Sequence, residues 1–92
     1  MATKFFELTQ TAWTKVANGA CLVDIALHGE RVLVTTQATG TPDIATKAVH
    51  PLSTTDARCF SYGGSHAVFA RAKENKFNER TASVVVTGDN LA

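Results

Sequence analysis

Two cysteines, Cys21 and Cys59, and three histidines, His28, His50 and His66, carry the strongest side-chain chemistry in this chain. Thiolates and imidazoles together can ligate zinc, and a thiol held against an imidazole can act as a nucleophile. Both uses need preorganisation. Zinc ligands come in close pairs such as C-x2-C or H-x3-H, and a thiol is activated only by a positioned base. None of these residues has such spacing, and His28 and His66 sit beside turn residues. There is no nucleophile elbow, Walker loop or HExxH motif. Gly63-Gly64 fits a tight turn better than a phosphate cradle, because no helix follows to aim its N-terminal dipole at an anion. No metal, cofactor or catalytic residue is therefore expected, and the chain reads as a non-enzyme.

As a pair, Cys21 and Cys59 leave three states open: buried unpaired thiols, an internal disulfide, or bridges between subunits. An internal bridge would close a loop of roughly 38 residues and stabilise the domain by about 4 kcal/mol on the chain-entropy account. Synthesis in a reducing cytoplasm works against early bridging, whereas release into an oxidising medium would allow it. The aromatic residues also divide. Trp13, Tyr62 and Phe69, with Phe60, could form a ligand-facing platform on which sugar rings stack, or they could fill the core as large rings do in small sandwiches. Phe5 and Phe6 precede the first expected strand. An adjacent aromatic pair is unfavourable in water, so the pair reads as an anchor onto another subunit.

The elements that must hold these residues are short and β-type. Ala12 to Ala17 is a first strand closed by the turn dipeptide Asn18-Gly19. Cys21 to Leu27 alternates, with Cys21, Val23, Ile25 and Leu27 on the face expected to be buried. His28-Gly29-Glu30 turns into the β-branched run Arg31 to Thr36, expected to pair back as a hairpin. Ala38 to Asp43 is an exposed connection. Ile44 to Val49 could be a helical turn or an edge strand, and because Pro51 pushes His50 into extended geometry a strand ending near Val49 or Leu52 is expected. Arg58 to Tyr62 and His66 to Ala72 flank Gly63-Gly64-Ser65, a hairpin-type turn. Lys73 to Arg80 is a polar loop carrying Phe77, and Ser83 to Val86 suits a central strand covered on both faces. About seven strands at regular spacing, with no long helix, predict an all-β fold: an antiparallel β-sandwich or small barrel over residues 12–92, preceded by an extended N-terminal arm over residues 1–11.

Bulk properties set the frame. A chain of 92 residues makes one domain that buries only roughly 60–65% of its unfolded surface, so association with other subunits is one route to stability. Charged residues make up 18% of the chain, below the usual ~25%, which suggests that part of the surface is covered in the working state. The net charge is +1, with basic residues scattered rather than gathered into the footprint of a nucleic-acid binder. No apolar run approaches bilayer length, and Glu7 interrupts the N-terminal apolar residues where a signal peptide would continue. Neither a nucleic-acid nor a membrane partner is expected, and synthesis in a cytoplasm is.

The order Trp13-Thr14-Lys15-Val16, Gly19, the alternating strand to Leu27, Val32-Leu33-Val34, Pro51-Leu52, Phe60-Ser61-Tyr62-Gly63-Gly64, Val68-Phe69-Ala70-Arg71-Ala72 and Val84-Val85-Val86-Thr87 resembles a group of small β-sandwich virion proteins of tailed bacteriophages. The resemblance covers nearly the whole chain from Trp13 onward. It implies a non-enzymatic structural protein located in the virion: a capsid decoration or cement protein binding the major capsid protein or other virion subunits. A homo-oligomer is implied, with a trimer at symmetry axes as one form. The alternative within the same group is a tail, collar or fibre module that binds a host receptor or carbohydrate. The Phe5-Phe6 segment and the two cysteines depart from the group's pattern.

Overall fold

The computed structural model describes residues 1–27, 30–55, 57–73 and 81–92. The turn at His28-Gly29 and the loop residues 74–80, Phe77 included, lie outside the described residues. Among the described residues the chain forms eight strands and no helix: β1 (Ala2–Thr9), β2 (Thr14–Ala17), β3 (Cys21–Ile25), β4 (Arg31–Gln37), β5 (His50–Ser53), β6 (Cys59–Tyr62), β7 (Ala67–Ala72) and β8 (Thr81–Gly88). They build two antiparallel four-stranded sheets. Sheet A has the order β1-β8-β3-β6 and sheet B the order β2-β7-β4-β5. The fold is the expected β-sandwich, with eight strands in place of about seven.

The core follows from alternation. Sheet A turns Leu8, Cys21, Val23, Ile25, Ala82, Val84 and Val86 inward, and sheet B turns Val16, Val32, Val34, Leu52, Val68, Ala70 and Ala72 toward them. β-Branched side chains suit this pleated interface, and the small Ala70 and Ala72 leave room for the valines opposite. Val84 and Val86 are fully buried and β8 is an inner strand, as the valine run suggests, but Val85 on its outer face is only half-buried, so the strand is not covered on both faces as expected. Leu27, expected on the buried face, lies past the end of β3 and is exposed.

The N-terminal segment differs from expectation. Residues 2–9 are not an arm standing off the sandwich. They form an edge strand paired with β8 along its whole length, from Ala2 opposite Gly88 to Thr9 opposite Thr81. The inward positions of this strand are Lys4, Phe6 and Leu8, so a charge interrupts the apolar period that would have marked it in the sequence. The Lys4 Nζ donates to the Ala92 carbonyl at 2.6 Å and lies 5.8 Å from the Phe6 ring, which allows the lysine to occupy that position.

Strand pairing also departs from the expected hairpins. β3 pairs with β8 and β6, whereas β4 pairs with β7 and β5. The connections from β3 to β4 and, at Gly63-Gly64-Ser65, from β6 to β7 therefore carry the chain from one sheet to the other, and Asn18-Gly19 does the same between β2 and β3. A turn dipeptide specifies a reversal of direction but not the hydrogen-bonding partner. Residues 44–49 are neither a strand nor a regular helical turn. The strand begins at His50 and holds Pro51 at the sheet edge, where a missing N–H is tolerated.

Candidate functional site

The two outer faces of the sandwich are treated differently by the chain. On sheet B, Lys15, Leu33, Thr35, Phe69 and Arg71 point outward, and residues 10–13 and 38–49 lie over them. Arg71 fastens this cover: its Nη1 donates to the Gln10 carbonyl at 3.0 Å and its Nη2 to the Ile44 carbonyl at 3.3 Å. The same guanidinium lies 5.1 Å from the Trp13 ring. The Trp13 Nε1 donates to the Asp43 carbonyl at 3.2 Å, and the Thr35 Oγ1 donates to the Ala48 carbonyl at 2.7 Å. Beneath this cover Phe69 is only 3% exposed, and Pro42 is buried.

A cleft of about 580 Å³ runs along the cover between Gln10, Leu33, Ile44, Arg71 and Lys73. Two donors near it, Arg71 Nε and Gln10 Nε2, have no hydrogen-bond partner. Both atoms are sealed from solvent, so neither can reach a molecule in the cleft. The guanidinium has no carboxylate partner among the described residues, and carbonyl oxygens and an aromatic face take its place. Arg71 works as a clamp.

Among the described residues, no segment lies over the outer face of sheet A in this way. Register places Phe5, Val85, Asp24 and Cys59 side by side across β1, β8, β3 and β6, with Thr3, Thr87, Leu22 and Ser61 in the adjacent row. Phe5 is 57% exposed and Leu22 41%, and Val85 is half-buried between its neighbours. Polar groups at the border are internally matched. Thr3 Oγ1 and Thr87 Oγ1 share a hydrogen bond at 3.2 Å, and Asp24 Oδ1 lies 3.4 Å from Arg58 Nε. The latter joins two half-exposed side chains without forming a hydrogen bond, Asp24 Oδ1 itself being sealed from solvent, and such exposed pairs contribute little. Glu30 Oε1 accepts from both the Ser83 N–H and Oγ at 3.1 Å, finishing the rim at the start of β8. The apolar side chains Phe5, Val85 and Leu22 thus lie together across β1, β8 and β3, with the carboxylate of Asp24 beside Val85 as the charge within the face.

The residues singled out from the sequence are distributed as follows. Phe5 and Phe6 separate: Phe5 faces outward on sheet A, while Phe6 turns inward and packs against the core. Cys21 and Cys59 are both free, so the internal disulfide is not formed. Cys21 lies opposite Tyr62 and Cys59 opposite Asp24. The thiols are thus three residues apart along the strands, about 10 Å at the usual rise, and on opposite faces of the sheet. A disulfide spans about 4.4–6.8 Å between Cα atoms, so the pairing is geometrically excluded. Burial of Cys21 raises its thiol pKa above the ordinary value of 9.0, which keeps it protonated and unreactive near neutrality. Cys59 is exposed on the outer face.

Trp13, Tyr62 and Phe69 do not assemble a sugar platform. Trp13 and Phe69 are buried under the sheet B cover. Tyr62 is half-buried at the inner edge of sheet A, stacked 6.2 Å from Phe60, and its hydroxyl accepts from the His66 N–H at 3.1 Å. Large flat rings paid for in a small domain are more useful as core than as display. Among the described residues, no three His, Cys, Asp or Glu side chains gather closely enough to hold a metal ion, and no helix is long and apolar enough to cross a membrane. Leu22 and Val85 are the members of the sheet A patch that sequence reasoning missed. The signal was available in the odd member of the valine run and in the apolar residue on the nominally polar face of β3. Searches against family models, curated proteins and solved structures returned no match to this chain.

Proposed function

We propose that this protein is a non-enzymatic structural subunit of a tailed-phage virion, a decoration protein that docks on the capsid exterior through the outer face of sheet A and braces neighbouring capsid subunits. The observation that carries the reading is the asymmetry of the sandwich. Among the described residues, one outer face is covered by the chain's own loops, and the other keeps Phe5, Leu22 and Val85 exposed or half-buried across β1, β3 and β8. The strand-motif resemblance to small virion sandwiches supplies the kind of assembly.

Docking suits the energetics of a domain this small. Only the folded form binds, so attachment stabilises the fold by mass action, and many individually weak contacts brace a shell when each copy spans two neighbours. Quantitative mass spectrometry of purified particles tests the reading. A decoration role requires a copy number comparable to that of the major capsid subunit. A few copies per particle would transfer the protein to the tail, collar or fibre, and its absence from particles would end the virion reading.

A further inference from the structure

The described residues present four sheet edges, and three carry a device that discourages further pairing. The strand β5 contains Pro51, β2 is interrupted by a bulge between Lys15 and Ala17, and β6 is only four residues long. The fourth edge, β1, is eight residues long, has no proline, and keeps an unbroken register with β8. Its outward backbone groups are a template for another strand. An inward-pointing charge is another common guard of edges, but Lys4 is already engaged by the Ala92 carbonyl and the Phe6 ring of its own chain.

We infer that two copies of this chain pair through β1, antiparallel and centred on Phe5, so that their two four-stranded sheets join into one continuous sheet. A two-fold axis normal to an antiparallel sheet sets one residue opposite itself, and the sequence of β1 discriminates among the choices. Centring on Lys4 or Glu7 opposes like charges, which is destabilising. Centring on Phe6 places Glu7 against the exposed Phe5. Centring on Phe5 sets the two Phe5 rings against each other, Thr3 opposite Glu7 and Ala2 opposite Leu8. It also sets Lys4 opposite the Phe6 of the second copy, repeating the lysine-over-phenylalanine contact that exists within the chain. No charge then faces its like. The pairing is two-fold, not three-fold, and it stands whether or not the enlarged face docks on a capsid.

Sedimentation velocity of the purified chain over a wide concentration range is the test. The expected result is a concentration-dependent doubling of mass, since a single strand pair buries less than a standard interface and gives a weak dimer. Phe5→Lys and Phe5→Glu, at an exposed position, each abolish the dimer because the axis doubles the charge, and an equimolar mixture of the two restores it. A wild-type chain that stays monomeric throughout, a dimer that survives in Phe5→Lys, or a mixture that remains monomeric would each overturn the register. Hydrogen exchange of the wild-type chain reads the same point without a substitution. Amides of β1 slow as concentration rises while those of β6, the opposite edge, do not; equal behaviour of the two edges rejects the pairing.

Discussion

Adjacent residues Phe5 and Phe6 differ in what their loss should cost, and the difference follows from the register of β1. Phe6 lies opposite Val84, a fully buried residue, and its ring packs against the core cluster while Lys4 covers part of it. A fully buried Phe→Ala change costs about 3–5 kcal/mol, and Phe6 is only partly enclosed, so Phe6→Ala should cost about 2–3 kcal/mol by the same scale. For a domain of this size each kcal/mol lowers Tm by about 4–8 °C, so the variant should melt roughly 10–20 °C below the parent. Phe5 keeps 57% of its surface in water and has one cross-strand apolar neighbour, Val85. Such a pair contributes about 0.2–1 kcal/mol, and Phe5→Ala should fall within that range. Urea titration of the free protein, with both variants compared at constant m-value, measures the two costs. Equal losses, or a larger loss at Phe5, would mean that β1 does not sit in this register and that the exposed face of sheet A is wrongly identified.

The remaining expectations probe other parts of the fold. Gly88→Ala would place its Cβ 2.8 Å from the Ala20 carbonyl oxygen and 3.2 Å from Cys21 Cβ, so the β3–β8 contact must open at a cost of about 1–3 kcal/mol, read as a lower urea midpoint. Arg71→Ala removes both carbonyl links of the sheet B cover; charge-assisted hydrogen bonds contribute about 1.5–3 kcal/mol each. Emission from Trp13, the sole tryptophan, should therefore shift to the red as the cover loosens, and an unshifted spectrum would deny Arg71 its role as clamp. The raised thiol pKa of Cys21 means that the unfolded chain loses this proton first. Its stabilising effect is complete below the ordinary thiol value of 9.0 and is lost as pH rises from there through the higher folded value. Alkaline urea titrations should thus show a steeper decline for the parent than for Cys21→Ala, and parallel curves would show that burial does not act on this thiol.

Strand positions and facings were legible where apolar period and β-branching coincide. Cys21 to Ile25, Arg31 to Thr36 and Val84 to Val86 illustrate this, because one face buried against the core forces apolar residues to alternate along the strand. Pairing was not legible. The turns at Asn18-Gly19 and Gly63-Gly64 reverse the chain as expected, but whether a reversal stays in one sheet or crosses to the other depends on packing between layers, which no short segment encodes. The first strand was hidden for a local reason: its inward position 4 is a lysine whose charge is met by the C-terminal carbonyl of Ala92, a contact between opposite ends of the chain. The candidate docking face was partly legible, since Phe5 stood out as an unfavourable exposed aromatic. Its neighbours Leu22 and Val85 come beside it only through the order β1-β8-β3.

The two cysteines provide the most direct test of the docking face. Cys59 lies in the same cross-strand row as Phe5 and Val85 and is exposed, whereas Cys21 is buried on the inner side of the same sheet. The measurement is the rate of maleimide labelling at Cys59 in the free protein and in purified particles, with Cys21 as the internal silent control. Docking through sheet A predicts fast labelling of the free chain and strong protection on the particle, while Cys21 remains unlabelled in both. Equal Cys59 rates in the two states would leave the outer face of sheet A in solvent on the particle and contradict the account.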